Sequence, residues 1–168
     1  MRELDLAAAA KLESGAGSGK LPSGVRFLDT WRDRSYGAVL FWVDPGLGLW
    51  DDDGPVLHIV HCELVDDAWQ SCGRGATSTR SAPEIIAEKG PGLHCLGGSS
   101  PGDPVRLTHA IASPEVSTIE LRNARGVSER RPGVEGFCVL GITHQDPVTY
   151  AHAVDSIGHS LPSEPLLL

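Results

Sequence analysis

The chain has 168 residues, of which 40% are hydrophobic and 21% charged, a composition typical of a folded globular protein and not of a disordered one. Its 14 lysines and arginines against 22 aspartates and glutamates give a net charge of −8, which argues against nucleic acid or an anionic membrane as a partner. An acidic surface favours solubility or a basic partner.

The first 24 residues are predicted to form a short helix followed by a flexible linker. Residues 2–13 are rich in alanine and leucine, with acidic residues in the first turn. The linker contains GAGSGK, which ends like a phosphate-binding loop. However, Ser14 stands where that motif needs its leading glycine, Leu21 where it needs serine or threonine, and Pro22 where its helix should begin. We therefore expect a tether there, and no nucleotide or other cofactor.

The N-terminal sequence does not resemble a secretory signal. Glu3 and Asp5 precede the short apolar run at 6–10, where a signal would carry positive charge. No apolar run reaches the roughly 18 residues that a membrane-spanning helix needs. The sequence thus predicts a cytoplasmic protein, or a secreted one if a signal peptide has been removed. In the cytoplasm all four cysteines would remain mostly thiols.

Residues 25–100 are predicted to form a β-rich segment with one short helix. The continuous apolar run YGAVLFWV at 36–43, followed by a turn, indicates a strand that is buried on both faces. Residues 81–90 are predicted to be helical, because Ser81 suits the N-cap position and Glu84 follows three residues later.

A β-hairpin is predicted in the middle of this segment. Residues 55–65 and 68–73 form its two strands. A two-residue loop would place Ser71 opposite Cys62, whereas a loop of three or five residues would place Cys72 there.

The last part of the chain, residues 101–168, is predicted to be a small β-sandwich. Turn-forming residues at 97–104 mark its boundary, and short strands follow at 104–112, 116–122, 136–142 and 147–155. The strand rhythm and the Gly136-Phe137 start of one strand resemble the immunoglobulin-like sandwich modules of many bacterial proteins. That resemblance implies an architecture and no function. Residues 25–100 and 101–168 are expected to be separate domains or to share one core.

Histidines and cysteines concentrate around the predicted hairpin. Zinc needs four such ligands at one point, and the candidates are His58, Cys62, Cys72, His94 and Cys95. Strand alternation places His58 and Cys62 on one face of their strand and His61 on the other. The spacing matches no zinc pattern, so buried structural thiols and imidazoles are the competing interpretation, and a Cys62–Cys72 disulfide is a third.

Two further histidines lie on predicted strands of the sandwich. His109 shares a face with Leu107 and Ile111, and His152 shares a face with Tyr150 and Val154. Both faces are therefore predicted to be core faces. If the two strands are neighbours, the imidazoles would meet and titrate together. The alternative is two separate histidines at the edge of a core.

No catalytic motif is present. The chain has no Gly-x-Ser-x-Gly elbow, and the acidic stretch after Trp50 lacks the alternating spacing of a calcium loop. Trp50 is expected to be exposed and to form an interaction surface with Asp51, Asp52 and Asp53. These observations favour a non-enzymatic interaction module that binds a protein partner or itself. The alternative is a zinc-binding protein or a metal-dependent hydrolase.

Overall fold

The computed structural model describes residues 23–45, 54–102, 105–123, 126–143 and 150–165. Within these ranges the chain is mainly β, as the sequence predicts, with three antiparallel sheets and one α-helix. No helix in the same ranges is long and apolar enough to cross a membrane. The predicted N-terminal helix, GAGSGK and the Trp50–Asp53 surface lie outside the described residues. The chain divides into two compact units, Met1–Arg80 and Ser81–Leu168.

The first unit contains a four-stranded antiparallel sheet in which each strand pairs with the next. Its strands are β1 (Val25–Asp33), β2 (Tyr36–Val43), β3 (Val56–Val65) and β4 (Ala68–Ser78). Every residue of β2 after Tyr36 is buried, which confirms the strand predicted from the apolar run. β1 carries a weaker sequence signal, because a bulge at Leu28 interrupts the alternation that Val25 and Phe27 begin.

The β3–β4 hairpin has a two-residue turn. Asp66 and Asp67 both have positive φ angles, 48° and 61°, as the central residues of a type I′ turn do. The register places Ser71 opposite Cys62, so the two-residue alternative is the correct one. Cys72 is the extra residue of a bulge and is exposed.

The second unit contains one helix and two sheets that share a core. Its elements are α1 (Ala82–Lys89), β5 (Leu93–Gly102), β6 (Val105–Ala112), β7 (Thr118–Asn123), β8 (Gly126–Arg130), β9 (Phe137–Thr143), β10 (Tyr150–Val154) and β11 (Ser160–Leu161). One sheet has the order β5-β6-β9 and the other β11-β10-β7-β8. A single cluster of buried side chains joins Ala110 and Leu140 of the first sheet to Ile119 and Ala153 of the second.

The glycine-rich stretch at 97–104, which the sequence suggests as a domain boundary, lies largely within a strand. β5 continues to Gly102 and pairs with β6, and the division between units falls after Arg80 instead. Gly97 is needed in the strand for a reason that the sequence does not reveal. A Cβ at this position would lie 2.9 Å from two ring atoms of His109, so only glycine lets the imidazole pack this closely.

Helix α1 begins at a capping arrangement, as predicted. The backbone N–H and the hydroxyl of Ser81 both donate to the Glu84 carboxylate, at 2.9 and 2.5 Å. We expect Ser81→Ala to lower the free energy of unfolding by about 1 kcal/mol, because the cap side chain is lost. Urea unfolding measures the change. Thr79→Ala, outside the helix, is the control and should cost less than about 0.5 kcal/mol; equal losses would contradict the cap.

The segment Pro162–Glu164 covers the first part of the outer edge of β5, at Leu93 to Cys95. The Leu93 N–H donates to the Pro162 carbonyl and the Glu164 N–H donates to the Leu93 carbonyl, both at 2.9 Å. The Cys95 N–H donates to the Glu164 carboxylate, also at 2.9 Å. The segment thus runs parallel to β5 and satisfies backbone groups that an open edge would expose.

Two carbonyl groups on the outer edge of β9 accept hydrogen bonds from residues that precede this strand. The Gly133 N–H donates to the Phe137 carbonyl at 2.9 Å, and the Arg130 guanidinium donates to the Val139 carbonyl. Hydrogen bonds from within the unit therefore cover β5 at Leu93 and Cys95, and β9 at Phe137 and Val139.

Candidate functional site

The predicted zinc ligands are divided between the two units. His58 and Cys62 are buried on the same face of β3, as alternation predicts. Cys72 is exposed in the β4 bulge, and His94 and Cys95 lie near the start of β5 in the second unit. Among the described residues, no three His, Cys, Asp or Glu side chains form a group that could hold a metal ion. A zinc site remains a prediction, which elemental analysis of untagged protein tests.

His94 and Cys95 help to hold the segment that covers β5. His94 Nε2 lies 2.9 Å from the carbonyl oxygen of Gly90, and its Nδ1 lies 3.5 Å from Glu164 Oε1. Lys89 Nζ donates to that same carboxylate oxygen at 2.7 Å. Together with the Cys95 N–H, these contacts give Glu164 a structural role between helix and strand.

His109 and His152 do not meet. Ala110 of β6 faces the shared core, so His109 points to the opposite side of its sheet, where it is buried against Gly97. Neither ring nitrogen of His109 has a hydrogen-bond partner in the part of the chain that the structure describes, and burial lowers its pKa to about 4. His152 lies on the other sheet, on the side that faces away from the core.

The face of β10 that the sequence assigns to the core is the exposed one. The core residues of β10 are Ala151 and Ala153, whereas Tyr150 is 49% exposed. Because both alanines are small, the larger side chains of the opposite face dominate the sequence pattern. The same side of the neighbouring strands completes an open surface of the β11-β10-β7-β8 sheet, which we call the outer face.

The outer face presents two rows of side chains that cross β10, β7 and β8 in register. The Tyr150 row consists of Tyr150, Arg122 and Val127, and the His152 row consists of His152, Glu120 and Glu129. Val127, Arg122 and Glu129 are exposed, as is Tyr150. The surface thus combines an aromatic ring, an aliphatic side chain and a guanidinium beside two carboxylates.

A chain of hydrogen bonds fixes the orientation of Tyr150. Its hydroxyl lies 2.7 Å from His152 Nδ1, and His152 Nε2 lies 2.6 Å from the Ser160 hydroxyl. The two rings also stack, with their centroids 5.3 Å apart and an interplanar angle of 21°. The Tyr150 ring is therefore held in place although half of it is open to solvent.

The serine–histidine contact has the order of a nucleophile and its general base. Acyl transfer also needs preorganised donors for the developing oxyanion, in a site from which water is excluded. Ser160 is exposed, and the group beyond the imidazole is a tyrosine hydroxyl where a catalytic triad has a carboxylate. The arrangement is better suited to ordering the surface than to catalysis.

Comparison of the chain with protein-family models, with curated proteins and with solved structures gave no match. The candidate site is therefore assigned from the geometry of the outer face. Two of its residues, Val127 and Glu129, lie on a strand that the sequence pattern does not indicate. All of β8 except its last residue is exposed, so the strand lacks the buried alternation by which strands are recognised.

Proposed function

We propose that the chain is a non-enzymatic protein-interaction module that binds its partner through the outer face. The observation that carries this proposal is the exposed yet hydrogen-bonded ring of Tyr150, in register with Arg122 and Val127. Tyrosine and arginine are enriched among the residues that dominate binding energies. A ring that is already fixed loses less conformational entropy on binding than a mobile one.

We propose further that the scaffold of this surface is an immunoglobulin-like sandwich. Constant-type immunoglobulin domains have one sheet of strands A, B, E and D and another of C, F and G. If β5 to β11 are lettered A, B, C, C′, E, F and G, the sheets become A-B-E and G-F-C-C′. The difference is that the fourth strand lies beside the third. This strand order supports the proposal.

A basic protein partner in the cytoplasm suits this surface best. The chain carries a net charge of −8, and the His152 row adds two carboxylates to the outer face. No disulfide joins the four cysteines, which agrees with a reducing compartment: Cys62, Cys72, Cys95 and Cys138. A second copy of the chain is the other partner to be tested.

Quantitative pull-down with surface variants tests the proposed function. We expect Tyr150→Ala and Arg122→Ala each to reduce capture of the partner by about tenfold or more, because each removes a large side chain from the Tyr150 row. Val134→Ser is the control, since Val134 lies outside the sheet and is 49% exposed. Sedimentation of the wild type and the same variants tests self-association.

Two results would contradict the proposal. One is that the wild type has no stoichiometric partner, itself included. The other is a partner whose capture is insensitive to both changes in the Tyr150 row.

A further inference from the structure

The two sheets of the second unit have four edge strands, which differ in how far other parts of the chain cover them. The edge of β5 is covered at Leu93 and Cys95 by residues 162–164. The edge of β9 is covered at Phe137 and Val139 by donors from Gly133 and Arg130. β11 is only two residues long and leads directly into the segment on β5. Among the described strands, β8 pairs with β7 alone, and Gly126 to Glu129 are exposed along it.

We propose that β8 is the docking site for an extended segment of a partner protein, which adds a strand to the sheet and carries one basic and one apolar side chain two residues apart. This inference rests on the proposed function and specifies how the partner is bound. Strand addition supplies affinity through backbone hydrogen bonds, while side chains on alternate positions supply specificity.

The apolar position follows from the Tyr150 row. This row ends at β8 with Val127, whose side chain is 51% exposed. A residue of an added strand that lies opposite Val127 would extend the row by one position. Aliphatic and aromatic side chains stabilise such cross-strand contacts, so an apolar residue is favoured there.

The basic position follows from the His152 row. Glu120 and Glu129 lie directly opposite each other on β7 and β8, and like charges in that position destabilise a sheet. A lysine or arginine opposite Glu129 would offset the repulsion. Val127 and Glu129 are two residues apart on the same face, so the partner's two side chains have that spacing as well.

The direction of the partner strand determines the order of its side chains. In an antiparallel arrangement the residue opposite Glu129 comes first, which gives basic-x-apolar in the partner sequence. A parallel arrangement gives apolar-x-basic. Both orders therefore belong in the test.

Binding of synthetic peptides, measured by fluorescence anisotropy, tests the inference. The probes are peptides of about eight residues with threonine at the other positions, containing Lys-x-Ile or Ile-x-Lys, and matched peptides with glutamate in place of lysine. We expect one lysine peptide to bind the full chain. Glu129→Lys should weaken its binding by about tenfold or more and strengthen binding of the matching glutamate peptide. Glu135→Lys, the same charge change on an exposed residue outside the sheet, should alter neither.

Peptides N-methylated at alternate residues separate strand addition from contact through side chains alone. Successive N–H groups of a strand point in opposite directions. One of the two methylated versions should therefore lose about tenfold or more in affinity, while the other retains it.

Equal binding of both methylated versions would overturn strand addition but leave the proposed function of the outer face intact. Strand addition would also be overturned if no peptide bound at concentrations up to about 1 mM. The proposed function fails separately, if capture of the native partner is insensitive to Tyr150→Ala and Arg122→Ala.

Discussion

Acidification from pH 7 to pH 5 is expected to lower the free energy of unfolding by about 2 kcal/mol for each of three buried histidines, or about 6 kcal/mol in all. His58, His61 and His109 each have a pKa lowered to about 4, mainly because burial disfavours the charged imidazole, with Arg74 adding to the effect at His58. In the unfolded chain these groups take up protons below about pH 6.5. The contribution of these histidines to the free energy of unfolding is therefore fully present above about pH 6.5 and is lost as the pH falls towards 4.

Urea unfolding of wild-type protein and of His109→Leu at both pH values measures the contribution of one site. The variant should lose about 2 kcal/mol less than the wild type on acidification, whatever its stability at pH 7. Thr108→Val is the control, because Thr108 is buried on the same strand but does not titrate. Identical pH dependence of His109→Leu and the wild type would show that burial of His109 does not disfavour its protonation.

Gly92→Ala is expected to lower the free energy of unfolding by more than about 3 kcal/mol. Gly92 has a φ of 138°, and a Cβ there would lie 2.2 Å from the carbonyl oxygen of Pro162. This carbonyl accepts the Leu93 N–H, so the methyl group must displace the segment that covers β5. Hydrogen exchange should accordingly become faster at the amides of Leu93 and Glu164.

Gly126→Ala separates this clash from backbone strain. Gly126 has the same φ of 138°, but a Cβ would meet nothing within 4 Å. We expect this substitution to cost only about 1–2 kcal/mol, the penalty for placing a side chain in that region of φ. If urea unfolding gave equal losses for the two variants, the contact between Gly92 and Pro162 would not matter for stability.

The elements that could be predicted from the sequence are those whose signal is local. The apolar run of β2 and the Ser81–Glu84 cap of α1 depend on residues that are close together in the chain. β5 was not predicted, because its glycines resemble a turn and the need for Gly97 arises from a histidine on the neighbouring strand. β8 was missed because an exposed edge strand buries no side chains that would reveal its period.

The candidate site could be predicted from the sequence only in part, because it too depends on contacts between residues far apart in the chain. Alternation correctly groups Tyr150 with His152, but it cannot say which side of the strand faces the core. The side that faces the core carries Ala151 and Ala153, which are too small to stand out in the sequence pattern. The Ser160 contact with His152 connects different strands and has no sequence pattern.

The position of the segment that covers β5 also determines when the second unit can be completed during protein synthesis. β5 is the first strand of this unit, and Leu93 pairs with Ser163, 70 positions later. β5 therefore leaves the ribosome well before residues 162–164 have been synthesised. A contact between residues this far apart in sequence also forms late in folding. During that interval the backbone groups at the start of β5 lack this cover, so the strand is open to pairing with neighbouring chains while translation continues.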